Sequence, residues 1–216
     1  MSKGKKLLKS IKGPVMISVV LMIICGLLFP LLLTGISSII FPKQAGGSLI
    51  EVDGKVVGSE TVGQEFTESY FLKGRPSAVH YNTYEEDADG NKVFSDGSEF
   101  GGVSSGSANY APSNPELIKR VEADMEKFFE ENPEVNKNDI PAELMTASGS
   151  GLDPHISPKS AMLQVPAVSK ASGIDETTLV EIIHNNTKGK LLGIFGEETV
   201  NVLGVNLEIA KAMNII

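Results

Sequence analysis

The 216-residue sequence has no tryptophan, one cysteine and three histidines. A lone cysteine excludes an intramolecular disulfide, so stability must come from the core or from partners. His80, His155 and His184 never pair at i, i+4, which excludes the helical zinc motif. A phosphate-cradling loop is also absent: Gly189-Lys190 is followed by Leu191 and lacks the upstream glycine. Gly149-Ser150-Gly151 runs into Leu152-Asp153-Pro154, which cannot open a helix in the frame that dinucleotide binding needs.

Charge is missing where apolar residues are densest. From Gly13 to Pro42 there is no Asp, Glu, Lys, Arg or His, only aliphatic and aromatic residues broken by small ones and by prolines such as Pro30. About 20 apolar residues cross a hydrocarbon core of roughly 30 Å, so residues 13–42 read as a transmembrane helix. A cleaved secretory signal has a core of only about 7–15 residues and an A-x-A-like site, and neither is present. Cys25 follows bulky Ile24 and precedes a further apolar run, unlike a lipoprotein processing site.

Acidic residues are absent before the span, where Lys3, Lys5, Lys6, Lys9 and Lys12 stand. Such a flank holds residues 1–12 in the cytoplasm and places residues 43–216 outside it. That outer part carries all 27 acidic residues and 14 of the 19 basic ones, a formal balance of −13. Nucleic-acid binding is thereby excluded; a cation path, a cation-rich partner or plain solubility fits the charge.

In the outer part, Ser48–Val52 and Lys55–Gly58 flank Asp53-Gly54 and predict a hairpin. Residues 83–110 are rich in Gly, Ser, Asp and Glu and predict a long surface loop. Asn114-Pro115-Glu116 then opens a helix whose Leu117, Val121, Met125 and Phe128 share one face, ended by Asn132-Pro133. Ser157-Pro158 opens a second, interrupted near Pro166. Asp175 caps a third carrying Leu179, Ile182 and Ile183, and Asn206 is expected to open a last helix to Met213. Strands followed by segregated helices predict an α+β domain behind one N-terminal transmembrane helix.

Several chemical motifs compete with plainer readings. Thr61-Val62-Gly63-Gln64 resembles part of a potassium filter, but such loops work in a ring of pore helices and this chain has one span. Glu85, Asp87, Asp89 and Asp96 occupy the first, third, fifth and twelfth places of a calcium loop. Glu in the first place, Lys92 in the eighth and the lack of flanking helices favour a solvated acidic turn. Asp153 and His155 beside Ser148 and Ser150 invite a hydrolase reading, yet residues this close in sequence seldom converge as a triad. The plainer reading is a tight turn that fixes the next helix, or an interface.

The run Ala147-Ser148-Gly149-Ser150-Gly151-Leu152-Asp153-Pro154-His155-Ile156-Ser157-Pro158 resembles the signature of the C subunit of the Kdp potassium-transporting ATPase. In order along the chain, Gly63-Gln64 with Phe66, Tyr70-Phe71, Arg75-Pro76-Ser77-Ala78, Tyr81-Asn82, Asn114-Pro115-Glu116-Leu117, Ile140-Pro141 and Asn201-Val202-Leu203 with Asn206-Leu207 agree with it. The acidic stretch from Glu85 to Gly101 looks longer than in the family's shortest members. The resemblance implies a bacterial cell-membrane complex in which a channel-like subunit binds potassium, a P-type ATPase subunit hydrolyses ATP and a small subunit stabilises both. The C subunit is needed for assembly and is described as a catalytic chaperone that raises ATP affinity. It implies no tightly bound cofactor, with ATP reached through the ATPase subunit, and lipid around the anchor. Gln64 falls in a Gly-Gln motif linked by the resemblance to nucleotide contact, although the lysine flank places it outside the cytoplasm. Thr34, Ser38, Arg75, Asn114, Ser150, Asp153 and His155 are the interface candidates. The alternative is a stand-alone, membrane-anchored envelope binding protein or enzyme.

Overall fold

A computed structural model describes residues 3–216, with side chains from Ser10 onward. The chain divides into two compact units, one up to Leu49 and one from Ile50. The side chains of Lys3, Lys5, Lys6 and Lys9 lie outside the described residues.

The first unit is α1 (Lys3–Ile23), a π turn (Ile24–Leu28), α2 (Phe29–Ile40) and the short α3 (Pro42–Ala45). Ser10–Ile40 is one 31-residue helix, long and apolar enough to cross a membrane. Pro30 explains the π turn: it has no N–H to donate, and its ring crowds the carbonyl four residues back. The ladder widens just before it, so that the Phe29 N–H donates to the Ile24 carbonyl, five residues away. The helix ends at Phe41, where a proline follows and φ falls to −131°.

In the second unit, β1 (Leu49–Val52) and β2 (Lys55–Ser59) form the expected hairpin. Asp53 and Gly54 have φ of 51° and 75°, the left-handed pair that matches strand twist. Residues 83–110 are more ordered than their composition suggests. β3 (Glu85–Glu86) pairs with β4 (Lys92–Val93), and Phe94 stacks on His80 and meets Phe100, which meets Tyr84. Three rings of this weakly apolar segment, together with His80 just before it, pack it into a small lobe.

Helix α4 (Pro115–Glu131) begins as expected, with the Asn114 side chain accepting the Glu116 N–H at 2.9 Å. Its Phe128, with Val121 and Met125, packs on Leu144 and Met145 as a small core. The main core lies behind a three-stranded antiparallel sheet, β5 (His155–Ile156), β7 (Thr199–Asn201) and β6 (Thr187–Lys188), in the order β5-β7-β6. Between β5 and β6 come α5 (Pro158–Leu163), α6 (Val165–Ser172) and α7 (Glu176–Asn185); α8 (Val202–Ala212) follows β7. Ile156, Val165, Leu179, Ile183, Val200 and Ile209 are among its buried side chains. The domain is α+β, but its main sheet is assembled by strands late in the chain.

The last helix differs from expectation in one instructive way. Asn201, not Asn206, caps it, accepting the Gly204 N–H at 2.8 Å. Asn206 lies inside α8, 1% exposed. There its Oδ1 accepts the Leu72 N–H and its Nδ2 donates to the Leu72 carbonyl. Gln164, at the α5–α6 junction, does the same for Lys73, at 2.9 and 3.2 Å. Two buried side-chain amides thus take the place of a neighbouring strand for Leu72-Lys73.

Candidate functional site

The signature run 147–158 folds as a loop held from several sides by residues 63–82. The Gly63 N–H donates to the Leu152 carbonyl at 2.9 Å, the Ser148 N–H to Pro76 at 3.4 Å, and the Ser77 hydroxyl to Gly151 at 2.7 Å. Arg75 braces it electrostatically, with Nη1 3.2 Å from Asp153 Oδ2 and Nη2 3.4 Å from the Thr146 carbonyl. Gly63 is required by packing: a Cβ there would meet the Tyr81 ring and lie 2.7 Å from the Asp153 carbonyl.

Tyr81 is the centre of this arrangement. His80, Tyr81 and Asn82 all have positive φ, between 47° and 56°, a left-handed turn that costs each non-glycine residue roughly 1–2 kcal/mol. Polar contacts on all three sides hold it. The Tyr81 N–H donates to Ser77 Oγ at 3.0 Å and its hydroxyl to the Arg75 carbonyl at 2.7 Å, while Asn82 exchanges two 2.9 Å bonds with Ser104. Burial, reinforced by the Asp153 carboxylate, pushes the Tyr81 hydroxyl up to about 12.

The far end of the loop leads into α5. Glu143 accepts the Ser157 N–H at 2.8 Å and the Ser160 hydroxyl. Burial opposes its ionised form, but these hydrogen bonds outweigh it and the carboxyl sits below its usual range. The backbone N–H of His155 donates to Asp153 Oδ1 at 3.0 Å; burial lowers its imidazole, with Asp153 partly offsetting the effect.

Of the sequence candidates, Arg75, Ser150, Asp153 and His155 are brought together here. Ser148 and Ser150 accept backbone N–H groups from Gly151 and Leu152, and neither is bonded to His155 among the described residues, so no nucleophile–base pair is assembled. Asn114 serves as a helix cap. The amide of Gln64 donates to the Val57 carbonyl at 2.7 Å and ties its loop to β2. Ser38 Oγ bonds the Thr34 carbonyl at 2.7 Å within the apolar helix, so the hydroxyl is satisfied without a partner.

Glu85, Asp87, Asp89 and Asp96 do not converge. Asp87 closes the β3–β4 turn by accepting from Asn91 and Asp89, which holds its carboxyl low, and Asp96 accepts from Ser98, with the same result. Among the described residues no three His, Cys, Asp or Glu side chains are placed to hold a metal ion.

Beside the loop opens a cleft of about 940 Å³, lined by Gln64, Arg75, Tyr81 and Ala147 and by Arg120 and Lys127 of α4. Arg75 Nε is buried there without a hydrogen-bond partner. Sequence reasoning singled out Arg75 but missed Ser77, Tyr81 and Glu143 as its structural companions; their hydrogen bonds span 2 to 74 positions and leave no periodic pattern.

Comparison with known proteins gives the chain's family. Residues 11–211 match the family described as KdpC: K+-transporting ATPase, c chain. A potassium-transporting ATPase KdpC subunit of Clostridium kluyveri is 55% identical over 208 residues, covering 96% of each chain. That of Clostridioides difficile is 52% identical over 97% of this chain and all of its own, and that of Rhodopseudomonas palustris 43% identical over 93% and 96%. Matched over more than nine-tenths of its length by such relatives, the chain belongs to the KdpC family, the c chain of the K+-transporting ATPase.

Proposed function

We propose that this chain is the membrane-anchored, non-catalytic c subunit of an ATP-driven potassium-uptake complex. Residues 1–12 face the cytoplasm, 13–42 cross the bilayer and 43–216 work outside. Its partners are a channel-like potassium-binding subunit, a P-type ATPase subunit and a small stabilising subunit, with lipid around the anchor. The observation that carries this reading is the Ser10–Ile40 helix of a KdpC-family chain, preceded by lysines with no acidic residue and followed by every acidic residue of the sequence.

This topology decides how ATP affinity is raised. ATP is cytoplasmic, Gln64 lies on the other side, and its amide is already engaged with Val57. The chaperone effect is therefore indirect: the anchor, through the face bearing Thr34 and Ser38, favours the pump conformation that binds ATP better. A tenfold gain in affinity needs only about 1.4 kcal/mol of such bias.

The test is a mild-detergent pull-down of the tagged chain from potassium-starved cells, followed by a potassium-stimulated ATPase assay with and without it. Co-purification of a P-type ATPase and a multi-span subunit, with activity lost on omission, supports the proposal. A chain that purifies alone while the ATPase is unaffected refutes it. Labelling Ser150→Cys in intact cells with a membrane-impermeant maleimide tests the orientation separately.

A further inference from the structure

Between β6 and β7 the chain projects a hairpin tip whose large side chains are apolar and uncovered. Leu191 is 70% exposed, Leu192 82%, Ile194 76% and Phe195 62%. Isolated exposed leucines are ordinary, but four bulky apolar residues within five positions form a contiguous patch that a soluble surface does not otherwise carry.

The tip is also built to leave water. The Leu191 N–H donates to the Phe195 carbonyl at 2.8 Å and the Phe195 N–H to Leu191 at 3.0 Å; the Gly193 and Ile194 N–H groups donate to Lys190 and Leu191 at 3.0 and 3.2 Å. Burying the loop thus strands none of these four donors, which lowers the penalty for desolvating the turn. The turn is preformed: Leu192 already sits at φ 55° beside Gly193 at 73°, so little conformational freedom remains to be lost on docking.

Charge selects the occupant. The tip has no charged residue from Leu191 to Gly196, and at its neck Lys190 lies 3.3 Å from Glu197. Leu191–Gly196 itself therefore offers no cation to anionic lipid headgroups, and the exposed Lys188 behind it is outweighed by the −13 balance beyond Pro42, which opposes their approach. The same balance disfavours self-association of two copies. An uncharged, apolar protein pocket meets neither objection.

We infer that the Leu191–Phe195 tip is the docking plug of the outer unit, inserting into an uncharged apolar pocket on the extracytoplasmic surface of an integral-membrane subunit of the same complex. This rests on the subunit reading above and adds the residues and the chemistry of the contact. Phe195 is the aromatic side chain that such interfaces favour at their core, with Leu191, Leu192 and Ile194 supplying apolar area around it.

The experiment uses the full chain, tagged and co-expressed with its complex, as wild type and as the Leu192→Asp/Phe195→Asp double variant. Retained partner subunits should fall at least about tenfold for the variant, with its melting midpoint unchanged because both side chains are exposed. If wild type and variant retain partners equally, the inference is overturned and the subunit reading stands. If even the wild type retains none, the subunit reading has failed and takes the inference with it. A second measurement covers a variant that misfolds: a fluorophore on Leu192→Cys in a Cys25→Ser background, read in the intact complex. Shielding from aqueous iodide and from nitroxide-labelled lipid alike supports a protein pocket. Quenching by the lipid identifies the bilayer as occupant, quenching by iodide a free loop, and shielding without partners present a second copy; each of these overturns the inference.

Discussion

Asn206 reads both backbone groups of Leu72, its Oδ1 2.8 Å from the Leu72 nitrogen and its Nδ2 2.9 Å from the Leu72 oxygen, across 134 positions of sequence. Only a side-chain amide offers an acceptor and a donor at this spacing. Replacing Asn206 with Leu keeps the branched shape but orphans a buried N–H and a buried carbonyl. At about 1–3 kcal/mol each, the variant should lose roughly 2–6 kcal/mol in a urea melt.

Tyr81 predicts an alkaline limb of stability. Its folded-state value of about 12 lies above the ordinary 10, so between those pH values the folded chain holds a proton that the unfolded one releases. Stability present below pH 10 is lost as pH rises toward 12. Tyr81→Phe should flatten that limb while costing about 1 kcal/mol at neutral pH for the bond to Arg75. Thermal melting of both chains from pH 8 to 12 checks it.

His155 acts in the opposite direction. Burial depresses its folded value below the ordinary 6.5, with Asp153 resisting, so the unfolded chain takes up the proton first. Its contribution is complete above pH 6.5 and is lost as pH falls. His155→Gln should shallow the decline of melting temperature below pH 6.5. Asp153→Asn should steepen it.

The Arg75–Asp153 pair is predicted to be modest in energy despite its central position. Its side chains are 24% and 29% exposed. A double-mutant cycle with Arg75→Gln and Asp153→Asn should give a coupling of about 0.5–1 kcal/mol. A larger value would mean that the pair is better screened from water than its exposure indicates.

Gly63→Ala should be worse than either single change in that pair. The added methyl has nowhere to go between the Tyr81 ring and the Asp153 carbonyl. Forced shifts of this kind cost about 1–3 kcal/mol, and equilibrium urea unfolding would register it.

Local signals were legible where one residue type has one dominant use. Asn114-Pro115, Ser157-Pro158 and Asp175 open helices as their chemistry dictates, and Asp53-Gly54 makes its turn. Asn206 was misread because a capping asparagine and a buried strand-mimicking asparagine look alike in one dimension, and Asn201 stood five residues earlier with the same competence. The strands β5, β6 and β7 have two or three residues each, too few for an alternating pattern. Arg75 and Asp153 were recognisable only through a family signature, since no periodicity links positions 78 apart.

The π turn at Ile24–Leu28 makes the apolar helix something other than a straight rod. A π turn is an α-helix carrying one surplus residue, and one residue is about 100° of rotation and 1.5 Å of rise. The azimuth of Thr34 and Ser38 therefore cannot be extrapolated from the stripe that runs through Val15 or Val19. Deleting a single residue from this turn would swivel one half of the helix against the other while leaving every remaining side chain chemically unaltered, so that a neighbouring helix would meet a different face.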